Sequence, residues 1–447
     1  MTSTPRAHEE ALIELTLSGG ACDTAAQYRH RMLPNSMKKL HLAHVPVAGK
    51  RALIRVDFNV PMEGGVITDD RRIRSSLRSI RSVLERGGSV VLMTHLGRPE
   101  GKGFEGDYSV QPVAARLAEL LGELAPRGVT CAGTSCVHPE ALQAVSTLKP
   151  GGVVLLENLR FEKGEKKGEE SFANALANLG DLYVNDAFGT SHRSDASMHA
   201  VPLAMRAQGK PTCAGFLLDA ELEFLLERIA RAQHPFTAVL GGAKVSDKLP
   251  TIHNLMQKVD RIIVGGAMAY TLLRAKGVSI GASRVEEALV DQSKEILALA
   301  QSRGCEIMLP VDHLCSSAFS AESARKVCAG AIESGWMGLD IGPATIAMFT
   351  AAIRASRTVV WNGPMGVFEM PPFDAGTRAI AQAAIEATQT GAVTIVGGGD
   401  TAAAVEEFGL ASQFSHVSTG GGASLEVLEG KHLQCLDALD GPATVLG

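Results

Sequence analysis

An α/β chain made of two doubly wound parallel-sheet domains is what this sequence predicts, on three observations. Short β-branched runs alternate with helical stretches from Met37 onward, the pattern of parallel strands covered by helices. The 447 residues exceed what one hydrophobic core serves, since single cores stop growing near roughly 250 to 300 residues. The runs also end in different chemistry in the two halves of the chain, as if each half carried its own part of a site.

Residues 1–36 precede this pattern. They have no apolar secretory core, and Glu9, Glu10, Glu14 and Asp23 do not fit an acid-poor transit peptide; the expectation is a disordered extension. Strands are then expected at RALIRV, SVVLMT, GVVLLE and DLYVND, and in the second half at FTAVL, RIIVG, EIMLP, TVVWN, VTIVG and HVSTG. Those of the first half stop at Asp57-Phe58-Asn59, His95-Leu96-Gly97-Arg98, Glu157-Asn158-Leu159-Arg160 and Asn185-Asp186-Ala187, whereas four of the six in the second half stop at paired glycines. Ligands of open α/β sheets bind outside the carboxyl ends of the strands, so the two halves face a shared cleft. Between them, Phe216, Leu217, Leu222, Leu225, Leu226 and Ile229 repeat with helical spacing, which predicts a helix over 215–229 joining a domain of 37–214 to one of 215–429.

Composition excludes several functions. A net charge of -5 with 45% apolar and 20% charged residues is ordinary for a soluble globule, with no basic surplus for nucleic acid or an anionic membrane. Apolar runs end well short of the ~18 residues of a span. The eight cysteines form no C-x-x-C pair; Cys131 and Cys136 are the nearest neighbours, and buried free thiols are expected. A cytoplasmic location follows from the same features. The 47 glycines, against a usual share of about 7%, point to backbone-lined loops.

Four such loops, AVLGGAKVSDKL, IIVGGAMAYTLL, TIVGGGDTAAAV and HVSTGGGASLEV, break a strand at glycines and resume as a helical pattern. Free amides and the positive end of the helix dipole suit phosphate there, and glycine lets the anion come close. Gly397 to Ala402 also fits the dinucleotide fingerprint G-x-G-x-x-A. That reading needs an acid at the end of the next strand, and the chain has Val417-Ser418-Thr419-Gly420 instead; no G-x-x-x-x-G-K-[ST] is present either. Lys244 and Lys248, four apart after Gly241-Gly242, are expected on one helix face beside the anion. Asp400 is placed either to cap its helix or to receive Mg2+ carried by a nucleotide. In the first half, Arg72, His95, Arg98, Arg160, His192 and Arg193 gather at strand ends and in loops, where guanidinium forks grip a small polyanion bidentately, with Asp57 and Asn59 left for its hydroxyls. Phosphoryl transfer between two anionic acceptors needs no general base, only positive charge around the moving group.

Taken in order, RVDFNVP (55–61), THLGRP (94–99), ENLRF (157–161), DAFGTSHR (186–193), GGAKVSDK (241–248), GWMGLDIGP (335–343), WNGPMGVFE (361–369), GGGDTA (397–402) and STGGGAS (418–424) resemble the phosphoglycerate kinases over nearly the whole chain after Met37. The resemblance implies two Rossmann-like domains with the tail, 430–447, returning to the N-terminal one, in a monomer. It implies reversible transfer between 1,3-bisphosphoglycerate plus ADP and 3-phosphoglycerate plus MgATP. By motif, Asp57, Phe58, Asn59, Arg72, His95, Leu96, Gly97, Arg98, Arg160, His192 and Arg193 would hold the glycerate substrate. Gly242, Lys244, Lys248, Gly265, Gly338, Asn362, Glu369, Gly398, Gly399, Asp400 and Thr401 would hold the nucleotide, with Asp400 on magnesium. Arg72, Lys244 and the amide of Gly422 would flank the phosphoryl group, brought together by hinge closure. Two lysines customary in the family are Ala220 and Ala344 here, and PDGW reads Glu333-Ser334-Gly335-Trp336; a non-catalytic or moonlighting nucleotide-binding paralogue is the alternative those departures raise.

Overall fold

The strand Arg51–Val56 carries Leu53 towards one face and Ala52, Ile54 and Val56 towards the other, all fully buried, because alternate residues of a strand point to opposite faces. Apolar side chains on both faces demand cover on both faces, which is the condition of a parallel sheet clad in helices. A computed structural model, describing residues 38–442, bears this out. The expected extension, 1–36, and residues 443–447 lie outside the described residues.

Two six-stranded sheets form, and every pairing in them is parallel. The first runs Val129–Thr130, Val153–Leu155, Ser89–Met93, Arg51–Val56, Leu182–Asp186, Thr212–Ala214 across its width. The second runs Glu306–Met308, Arg261–Val264, Phe236–Leu240, Thr358–Asn362, Val393–Gly397, His416–Val417. In each, the chain builds outwards from a central strand and then returns to that strand's other side, so a topological switch point lies at the middle. The doubly wound α/β class expected from the sequence is the one observed.

Some elements were not foreseen. Val129–Thr130 and Thr212–Ala214 are too short to show a pattern of their own. Asp312–Ser316, Arg325–Ala329 and Met337–Ile341 form a separate antiparallel sheet. The expected helix over 215–229 is α-helical from Phe216 to Leu222, winds as a π-helix over Glu223–Arg228 and is α-helical again at Ile229; such wider winding recurs at functional sites.

From Lys39 onward both sheets belong to one compact unit. One apolar cluster passes from Leu53 and Val91 through Leu218, Leu222, Leu225 and Ile229 to Phe236 and Ala238, so the bridging helix is cemented into the inner faces of both sheets. At the other end of the chain, Leu40 N donates to Asp440 O at 2.8 Å, and Asp440 receives Thr212 N at 2.8 Å and Arg206 Nε at 3.1 Å. The last described residues are thus tied to the edge of the first sheet.

Candidate active site

At the switch point of the first sheet, between Arg51–Val56 and Leu182–Asp186, the chain leaves the strand as Asp57-Phe58-Asn59. Phe58 N donates to Thr94 Oγ1 at 2.9 Å, and Gly97 N donates to Asn59 Oδ1 at 2.8 Å, which locks two strand-end loops together. Asn158 clasps the second of these loops, receiving Leu96 N and donating to Leu96 O, and Arg160 donates to Gly97 O at 2.8 Å. Arg72 lies in the first turn of the helix Arg71–Glu85 and its Nη1 is 2.5 Å from Asp57 Oδ2.

The remaining cations have no such partner. Among the described residues no carboxylate lies within ion-pair distance of Arg98, Arg160 or Arg193. Arg160 is 8% exposed with Nε unpaired, and Arg193 Nη1 and His192 Nδ1 are buried and unpaired as well. Burial, and then the Arg193 charge, push the Arg160 guanidinium below its ordinary value; burial and the surrounding arginines hold His95 well below the usual imidazole range. Desolvated cations crowded without anions are costly, and a multivalent anion would relieve that cost. One buried oxygen, Asp57 Oδ1, is also without a donor and suits a substrate hydroxyl.

The second sheet makes its switch point between Phe236–Leu240 and Thr358–Asn362. There the backbones nearly touch: Gly241 N donates to Asn362 O at 3.0 Å, and a Cβ on Gly241 would lie 2.1 Å from Pro364 O. Gly363 N donates to Thr401 Oγ1 at 2.6 Å, Lys248 Nζ donates to Asn362 Oδ1, and Gly398, at φ 86°, sits directly over the Asn362 amide. Lys248, Asn362, Gly398 and Thr401 are therefore one cluster. Burial lowers the Lys248 ammonium from its ordinary value. Gly399 opens the helix Gly399–Glu407, and Asp400, in its first turn, is exposed. Glu369 is exposed too.

Two expectations need correction here. Lys244 and Lys248 do not share a helix face: the helix starts at Leu249, with Pro250 in its first turn. Ser246 is hydrogen-bonded through N and Oγ to Glu286, which holds 243–248 as a loop, and Lys244 stands exposed in it. Only two of the four glycine loops open directly into a helix, at Gly398 and Gly421. Gly265 and Gly338 have their amides engaged, with Leu240 O and Ser283 Oγ; they are glycine because a Cβ would strike Met365 or Tyr270.

The segment 418–422, tied to the second sheet by Ser418 N donating to Val396 O at 2.8 Å, comes up against the arginine side. A Cβ on Gly422 would lie 3.7 Å from the His192 ring, one on Gly420 would strike Phe188, and one on Gly189 would lie 2.6 Å from Asp57 Oδ2 and 3.5 Å from Thr419 O. Gly422 thus belongs spatially to the arginine side. The bridging helix makes the other link. Its first amides, Leu217 N and Leu218 N, donate to Asp186 Oδ1, while its Glu221 receives Thr419 N at 2.7 Å and lies 2.9 Å from His416 Nε2. Burial pushes the Asp186 carboxyl up to about 7. Sequence reasoning passed over Glu221, although its place between Leu218 and Leu225 on the apolar stripe was the available signal: a carboxylate there is 1% exposed and has to have partners. No hydrogen bond or ion pair among the described residues joins the arginine cluster to Lys244, Lys248 or Asp400.

The family model described as "Phosphoglycerate kinase" matches residues 42–431. A phosphoglycerate kinase of Chloroflexus aggregans is 53% identical over 405 residues, covering 90% of this chain and 99% of that one; the chloroplastic enzyme of Volvox carteri is 46% identical over 417 residues, 92% and 88%. The solved phosphoglycerate kinase of Coxiella burnetii superposes with a TM-score of 0.80 at 39% identity, over 90% of this chain and 98% of that one. With two doubly wound sheets, a cluster of unpaired buried cations and a glycine-lined cluster facing a common segment, the chain belongs to the phosphoglycerate kinase family.

Proposed function

We propose that this enzyme transfers a phosphoryl group reversibly from 1,3-bisphosphoglycerate to ADP, giving 3-phosphoglycerate and ATP. The observation that carries this reading is that Arg160 and Arg193 keep buried guanidinium nitrogens unpaired and have no carboxylate partner among the described residues, a charge that a bound small polyanion would balance; Arg98, His95 and His192 complete the proposed site. Asp57 and Asn59 orient its hydroxyls, and the loop Phe58, Leu96, Gly97 shapes its walls. The nucleotide lies along Gly242, Gly265, Gly338, Asn362, Glu369 and Gly398 to Thr401, with Lys248 on its phosphates.

Asp400 fits Mg2+ brought in with the nucleotide: it is an exposed carboxylate at a helix start with no hydrogen bond or ion pair among the described residues. Mg2+ is commonly held by one or two carboxylates plus substrate phosphates, and it would neutralise phosphate charge there. Transfer itself is left to positive charge. Arg72 leaves Asp57 to meet the phosphoryl group, Lys244 reaches it from the exposed loop, and the Gly422 amide donates from the helix start.

The separation of the two clusters supports a hinge in which a domain of 37–214, with the tail 430–447, closes on one of 215–429 about the helix 215–229 and excludes water. The reading includes a cytoplasmic monomer, as in the family it resembles. The decisive measurement is ATP formation from ADP and 1,3-bisphosphoglycerate by the purified chain, with ligand-induced compaction followed by small-angle scattering. Nucleotide binding without ATP formation would instead favour a non-catalytic paralogue, for which Ala220 and Ala344 are the motive.

A further inference from the structure

Behind the anion site lies a charge that the reaction does not account for. Arg55 sits inside the strand Arg51–Val56 with its side chain wholly buried, and among the described residues no carboxylate pairs with it directly. Its Nε donates to Ser197 Oγ at 2.8 Å, its Nη1 to Val56 O, and its Nη2 lies 3.3 Å from His95 Nδ1. Ser197 in turn donates through Oγ and N to Glu165, at 2.6 and 2.9 Å, and Glu165 is also wholly buried. The serine thus relays the charge of one buried ion to the other, which is how a desolvated cation is tolerated.

A guanidinium has five N–H donors and no acceptor. Where it meets His95 Nδ1, that nitrogen has to accept, and the ring's one proton has to be on Nε2. The competing contact, His95 Nδ1 to Asp57 Oδ1 at 3.9 Å, is too long for a hydrogen bond and leaves Asp57 Oδ1 without a donor. Arg160, Arg193 and Arg72 also bear on His95 and oppose any second proton. We propose that Arg55 is a positioning residue: anchored through Ser197 to Glu165, it fixes His95 as a neutral imidazole protonated on Nε2, so the ring meets the substrate anion as a hydrogen-bond donor at every physiological pH. The donor role rests on the substrate reading above; the tautomer does not.

The test uses the full chain labelled with 15N and long-range 1H–15N spectra of its histidines, with His95 assigned through His95→Gln. In ligand-free wild type, His95 is expected as the Nε2–H tautomer without titration between about pH 5.5 and 8. A proton on Nδ1, or titration near the ordinary value of about 6.5, overturns the proposal. Arg55→Met is expected to lose the fixed tautomer and to raise KM for 3-phosphoglycerate about tenfold, a cost of roughly 1.4 kcal/mol, at nearly unchanged kcat; Arg55→Lys, which keeps a donor, recovers part of it. Should Arg55→Met not fold, Ser197→Ala loosens the same guanidinium without emptying its place, and an unaltered His95 spectrum in that variant counts against the relay. Failure of the substrate reading is separate: it shows as a His95 signal that 3-phosphoglycerate does not move, whatever its tautomer.

Discussion

At the carboxyl edge of the first sheet the groups of the candidate site are side chains: Arg160 and Arg193, each with a buried guanidinium nitrogen unpaired, and the buried His95. At the same edge of the second sheet they are backbone: Gly241, Gly363 and Gly398, with Lys248 folded back on Asn362. On the function proposed above, the two doubly wound sheets would hold phosphate-bearing anions by different means. The difference follows from the ligands. A small polyanion has to be recognised group by group, and the planar guanidinium does that with direction. A chain of phosphates is gripped along its length, where close backbone approach and a few mobile lysines suffice. It also predicts where substitutions are felt as turnover, as affinity or as stability.

The largest effect is expected at Arg72, among the described residues the one arginine of the first cluster already paired with a carboxylate, Asp57. If that pair parks a group needed in the transition state, Arg72→Ala lowers kcat by on the order of a thousandfold while the Kd for ADP stays near wild type; wild-type turnover would break the assignment. Lys244, exposed in its loop and with no hydrogen bond or ion pair among the described residues, is the counterpart from the second half. Lys244→Ala is expected to slow single-turnover transfer about a hundredfold, and little change in a quench-flow measurement would make it a bystander. Gly398→Ala probes the backbone mode. Its φ of 86° and the Asn362 amide below it leave no room for a Cβ, so the KM for ADP is expected to rise about tenfold at unchanged KM for 3-phosphoglycerate; a rise in both would mean that the two clusters are not separable.

The smallest effect concerns the link between them. Asp186 caps the bridging helix with its carboxyl raised to about 7 by burial, above its unfolded value of about 3.9. Between those values the folded state binds the extra proton, so this group's contribution to stability falls as pH rises from about 4 to about 7 and is then level. In Asp186→Asn, whose Oδ1 still accepts from Leu217 N, that slope is expected to vanish in urea unfolding curves compared at about pH 5 and 8. A variant with the wild-type slope would remove Asp186 from the account.

What was legible and what was not divides along a physical line. Strand runs, glycine loops and the apolar stripe of Gly215–Ile229 are local patterns, and the class of fold could be read from them. Glu221 was passed over, because its partners, His416 and Thr419, lie about 200 residues further along the chain. The same reasoning that singled out Lys244 and Lys248 misplaced them, because Ser246 and Glu286 are brought together only in the folded chain and override the helical spacing.

By itself, then, the sequence determined that alternating elements would build parallel sheets buried on both faces, since side-chain period and composition are properties of neighbours along the chain. The tertiary structure alone decided the order of strands within each sheet. It decided that Gly422 would stand beside His192 and that Asp186 would cap the bridging helix. It also decided that Arg55, a charge inside an apolar strand, would lie behind His95 with Glu165 two bonds away through Ser197. Those contacts join residues far apart in sequence, and they are chosen by which surfaces exclude water together and which buried polar groups find partners.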